Sequence, residues 1–99
     1  MTTPTLSDPD VLARRALRRE VLLALYRARN GSPAPRVDLS QIVQRTCAEK
    51  DAVLGQLLVL EALNFTFDVD RSGASITGAG VILAERLLVH REDVDRDLM

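Results

Sequence analysis

Up to about Leu63 the apolar residues recur at helical spacing; after Asn64 they alternate with polar ones for a few positions, and then the helical period returns. Ser7-Asp8-Pro9-Asp10 predicts a helix start: Ser7 can cap, Pro9 does not need its missing N–H in a first turn, and the acids favour the positive helix end. That helix is expected from about Asp8 to Arg29, where Asn30-Gly31 ends it and residues 32–35, Ser-Pro-Ala-Pro, keep the next loop extended. Asp38-Leu39-Ser40-Gln41 offers a second capping box, opening a short helix to about Arg45 that buries Leu39, Ile42 and Val43. Thr46-Cys47-Ala48-Glu49 offers a third. The helix it opens should continue to Leu63, with Asn64 in place of the common terminal Gly.

The change of period follows. Phe65, Phe67 and Val69 alternate with Thr66, Asp68 and Asp70, Arg71-Ser72-Gly73 makes a turn, and Ala74-Ser75-Ile76 returns, which predicts a two-stranded hairpin with the apolar set on one buried face. Thr77 then caps a last helix over about Gly78 to His90, with Leu83, Ala84, Leu87 and Leu88 on its apolar side. The expected organisation is a flexible N-terminus over residues 1–7, one domain over 8–90 and a charged tail over 91–99.

Helix, short helix, helix, hairpin, helix is mainly α with a small β-hairpin. Leu39 to Ile42, Ala48 to Val53, Leu57, Leu60-Glu61-Ala62-Leu63-Asn64-Phe65 and Ile76-Thr77-Gly78-Ala79-Gly80 together resemble the winged helix-turn-helix pattern of bacterial regulators, over about residues 10 to 90. Members of that superfamily read "LE..GL" into the hairpin and "LT..G" into the closing helix. The resemblance implies a winged helix with a two-stranded wing, and a DNA-associated regulatory protein that is not an enzyme. The chain departs from the pattern at Asn64, where Gly is usual, and in the apolar character of the helix before it.

At 99 residues the chain is one domain, near the size at which a second chain helps to bury apolar surface, so a homodimer or a protein partner is expected. The longest apolar run, Val21 to Tyr26, is far short of the roughly 20 residues that cross a bilayer, and MTTPTLSDPD has no signal-peptide pattern. A cytoplasmic protein is the expectation, with no membrane association, cofactor or metal. Cys47 and His90 are the only residues of their kinds, which leaves neither an internal disulfide nor a Cys/His metal cluster. Charge is asymmetric: up to Cys47 eight Arg face four acids, a net +4, whereas from Ala48 onward five cations face ten acids, a net −5. Such asymmetry suits either nucleic-acid binding by one half or pairing between the halves.

Two surfaces are candidates. On the first helix Arg14, Arg15, Arg18, Arg19 and Arg29 fall within an arc of about 140°, with Leu22 and Tyr26 among them. These arginines could hold DNA phosphates, together with Lys50 and with Arg71 at the wing tip; alternatively they form a solvated face or pair with Glu92, Asp93, Asp95 and Asp97. The third helix carries apolar residues on nearly all sides, where a groove-reading helix needs donors and acceptors. Leu54, Leu58 and Val59, with Leu87 and Leu88 of the last helix, are therefore candidate interface residues, or else the first and last helices of the same chain cover Leu54 and Leu58. Asp68 and Asp70 make the wing poor for a minor groove. Catalysis finds little support: His90 suits a helix-dipole partner, Cys47 a small buried hydrophobe or a minor redox group, and Gly78-Ala79-Gly80 a helix start rather than a phosphate loop.

Overall fold

A computed structural model describes residues 9–29 and 36–89. The order is α1 Pro9–Arg29, β1 Arg36–Asp38, α2 Leu39–Thr46, α3 Lys50–Ala62, β2 Thr66–Asp70, β3 Gly73–Ile76 and α4 Gly78–Val89. The described residues are thus mainly helical, with one small antiparallel sheet. The Ser7 cap, the Asn30-Gly31 helix end, the loop at 32–35, His90 and the tail with its acids lie outside them.

The protein is organised around the second half of α1. Val21, Leu22, Leu23, Ala24 and Leu25 are all buried, which places protein on every side of the helix over that turn: α2, α3 and α4 as well as β1 and β3. Burying a Leu side chain fully contributes about 1.5–3 kcal/mol, and Leu22 and Leu25 meet Ile42, Val53, Leu57, Leu60 and Leu87 in one cluster. The first half of α1, up to Glu20, buries no residue fully. Of its arginines Arg14 is exposed, whereas Arg15, Arg18 and Arg19 are half-buried.

The sheet has three strands where the sequence predicts two. β1 pairs antiparallel with β3 through Arg36, Val37 and Asp38, giving the order β1-β3-β2. Three residues with one buried side chain, Val37, are too short a stretch for alternation to register. As the central strand, β3 is buried along its whole length. Gly73 is needed there because a Cβ would clash with the Val37 carbonyl across the strand pair.

The hairpin also faces the other way from its apolar alternation. Thr66 is the buried residue of β2, its hydroxyl donating to the Leu57 carbonyl at 3.0 Å, and Phe67 is 47% exposed. A bulge lies between Phe67 and Asp70, with Asp68 at φ 55°, so the face of the strand changes phase midway. Phe65 and Val69 are half-buried against the core edge.

Two of the three internal helix caps differ from expectation. Asp38 and Glu49 occupy the N-cap positions of α2 and α3, but neither side chain makes a capping bond. Thr46 does not open α3; it closes α2, its hydroxyl donating to the Ile42 carbonyl at 2.8 Å. Cys47 follows in the left-handed region at φ 56° and is exposed rather than buried, turning the chain from α2 into α3. The ends near the hairpin agree with the sequence. Asn64 takes the left-handed position at φ 68°, and the Thr77 hydroxyl accepts from the Gly80 amide at 2.9 Å while donating to the Asn64 carbonyl at 2.8 Å.

Candidate nucleic-acid interface

The arginine face of α1 is partly committed to structure. Arg18 is half-buried and its Nε donates to Gln56 Oε1 of α3 at 2.8 Å, which satisfies a side chain that is only 7% exposed. Burial, and then repulsion from Arg15 and Arg14, lower the Arg18 pKa below the ordinary arginine value. The Arg14 Nε donates to the carbonyl of Asp10 in its own helix at 3.2 Å. Arg14 is exposed, and Arg15 and Arg19 are half-buried. Leu22, inside the same arc, is in the core, and the Tyr26 hydroxyl donates to Glu85 of α4 at 3.1 Å, a bond that is the main cause of its raised pKa. The arc is a seam with α3 and α4 at one end, and of its arginines only Arg14 is exposed.

Lys50 and Arg71 are twenty-one positions apart in the chain, yet they line one open cavity of about 500 Å³. Three local arrangements bring them together. The Leu39 amide donates to the Ser72 carbonyl at 2.8 Å, fixing the first turn of α2 against the β2–β3 turn. Within that turn Asp70 Oδ1 accepts from the Ser72 amide at 2.7 Å, the Ser72 hydroxyl at 2.6 Å and the Gly73 amide at 3.2 Å, which leaves Arg71 at the tip. The left-handed Cys47 then folds α3 back so that Lys50, its first residue, lies beside Val43 and Gln44.

Arg36 braces this turn from the edge strand. Its guanidinium spans β3 to reach the carbonyl and carboxylate of the bulged Asp68, the Asp70 carboxylate and the Ser72 hydroxyl, the last at 2.8 Å. The Ser72 bonds first, with help from Arg36 and Gly73, hold the Asp70 carboxyl below its ordinary pKa against an opposing desolvation. The hairpin acids Asp68 and Asp70 are thereby bound to Arg36. Lys50 and Arg71 are exposed and have no hydrogen-bond or ion-pair partner among the described residues.

The cavity is also lined by residues that the sequence does not single out as functional: Ser40 and Gln44, spaced i, i+4 on the polar side of α2, together with Asp38, Leu39, Val43 and Ser72. Their helical spacing was a signal, but nothing local says that this side faces the turn.

The α3 face turned to solvent differs in character. Asp51, Ala52, Leu58 and Ala62 are exposed, Leu54 and Val59 are half-buried, and a Cβ on Gly55 would meet nothing within 4 Å. None of these side chains carries a hydrogen-bond donor with which to read a base edge. Leu58 is 49% exposed, so neither α1 nor α4 covers it. On α4, Leu87 is 1% exposed and belongs to this chain's own core, which removes it from any interface; Leu88 is 50% exposed, and Ile82 and Val89 are more exposed still.

Among the described residues no group of three or more His, Cys, Asp or Glu side chains is placed to hold a metal, and no helix is long and apolar enough to cross a membrane. Comparison of the chain with protein-family models, curated proteins and solved structures finds no match.

Proposed function

We propose that the chain is a winged helix-turn-helix protein, non-enzymatic and DNA-associated, that holds the phosphate backbone through Lys50 and Arg71 at the mouth of the cavity between α2, α3 and the β2–β3 turn. The fold reading rests on the succession of α1, α2, α3, hairpin and α4, with β1 completing the sheet beside β3. The functional reading rests on one observation: two cations far apart in sequence converge on a surface with the donors of Ser40 and Gln44, while the acids of the wing are engaged by Arg36. Phosphate binding supplies affinity that falls with salt and carries no sequence information. With Lys50 the only donor among the exposed residues of α3, such binding would discriminate bases little. Fluorescence anisotropy with a random-sequence duplex at about 50 and about 200 mM salt tests it, because counterion release makes phosphate binding strongest at the lower concentration. Binding that is absent at low salt ends the proposal.

A second reading has its own observation. Leu58, exposed beside the half-buried Leu54 and Val59, gives α3 an apolar outer face suited to a protein partner or a second copy of the chain. Leu58→Glu is then expected to lower the sedimenting mass with helicity unchanged; a mass that does not move removes α3 from any interface between copies.

A further inference from the structure

The cavity between α2 and the β2–β3 turn is more than a patch of charge. Its volume of about 500 Å³ lies in the range of small-molecule sites, roughly 300–1,000 Å³. Half-buried Val43, with the small part of Leu39 that reaches the surface, supplies an apolar wall, while the ammonium of Lys50, the guanidinium of Arg71, the Ser40 hydroxyl and the Gln44 amide have no side-chain partner among the described residues. Asp38 lines the same space and its carboxylate makes no capping bond. Two cations against one carboxylate leave the lining at +1. One negative charge on the ligand neutralises that lining; a second finds no further cation, faces the Asp38 carboxylate and costs additional desolvation.

We infer that this cavity binds a small monocarboxylate with an apolar body, its carboxylate held by Lys50 and Arg71 and its body against Leu39 and Val43. The arginine fork and the ammonium supply charge-assisted bonds, stronger than neutral ones, and the wall contributes by removing apolar ligand surface from water. Since the same two cations are those assigned to the DNA backbone, bound carboxylate and duplex exclude each other; this coupling, unlike the ligand site itself, rests on the nucleic-acid reading. An occupied cavity would release the protein from DNA.

Titration of the isotope-labelled full chain with 2-naphthoate, 2-naphthyl phosphate and 2-naphthylmethanol, followed by amide NMR shifts, tests the site. The carboxylate is expected to shift the amides of Ser40, Gln44, Lys50 and Ser72. The neutral alcohol should bind at least about tenfold more weakly, the loss appropriate to charge-assisted bonds. The phosphate monoester, carrying nearly two charges, should bind more weakly than the carboxylate. In Lys50→Gln/Arg71→Gln the carboxylate affinity should fall by about tenfold or more with the spectrum still dispersed. Shifts that scatter along α1, equal binding of acid and alcohol, tighter binding of the phosphate, or an unchanged affinity in the double variant would each overturn the inference. If naphthoate binds and duplex does not, the ligand site stands and the nucleic-acid reading falls. If duplex binds and naphthoate does not, the inference falls alone.

Discussion

The two basic regions of this protein are built in opposite ways. The arginines of α1 are neighbours in sequence, and the fold disperses them: Arg18 serves Gln56, Leu22 beside them is core, Arg15 and Arg19 are half-buried, and Arg14 is exposed. Lys50 and Arg71 are distant in sequence, and the fold brings them to one cavity with their charges unpaired among the described residues. Sequence density of a charge is therefore a poor guide to where it is left unpaired. What matters is whether the helix that carries it is packed, because a packed helix uses its long polar side chains to satisfy buried partners.

The sharpest way to break this comparison is to remove each pair of cations separately. Lys50→Gln/Arg71→Gln is expected to weaken binding of a random duplex by about tenfold or more and to reduce the salt slope by about two, one for each phosphate no longer neutralised. Arg14→Gln/Arg15→Gln is expected to change the slope by less than about half a unit. Anisotropy over a salt series reads both, and the reverse ranking would move the binding surface to α1.

A stability effect comes next in size. Arg18→Ala leaves Gln56 Oε1 without its donor in a nearly buried position, at a cost of about 1–2 kcal/mol in urea unfolding. Adding Gln56→Leu should recover part of that loss, as expected for two groups that act as a pair. If Arg18→Ala is neutral for stability and weakens duplex binding instead, the arginine face is functional and the contrast between the regions disappears.

The smallest effect concerns the turn that presents Arg71. Asp70 has a lowered pKa in the folded protein, so its contribution to stability is present above the unfolded aspartate value of about 3.9 and is lost as pH falls through the lower folded value. Thermal unfolding of the wild type should therefore lose a small increment in that acid window. Asp70→Asn should abolish that part of the acid dependence. An identical acid profile in the two proteins would show that Asp70 does not hold the turn.

Much of the fold was legible because its signals are local. Asn64 at a helix end, Thr77 before a helix and the Arg71-Ser72-Gly73 turn depend on bonds within a few residues, and they occupy the expected places. The failures have a common cause. β1 exists because Arg36 to Asp38 found an open edge on β3; Thr66 replaced Phe67 on the buried face because a bulge and the Leu57 carbonyl favoured it; and Thr46 closed one helix instead of opening the next because its hydroxyl reached Ile42. The candidate site was legible only in parts. Lys50 and Arg71 were visible as isolated cations, whereas Ser40 and Gln44 acquired meaning from the turn opposite them, and Leu87 had the same periodicity as an interface residue until the core enclosed it.

By itself the sequence determined the helices, the position of the hairpin and the apolar character of α3, since periodicity and turn residues act through neighbours along the chain. Tertiary structure decided the third strand, the phase of the hairpin, the engagement of Arg18 and the meeting of Lys50 with Arg71. Each of these depends on which surface a residue faces after the chain has folded back on itself, and that is a relation between elements rather than between neighbours along the chain.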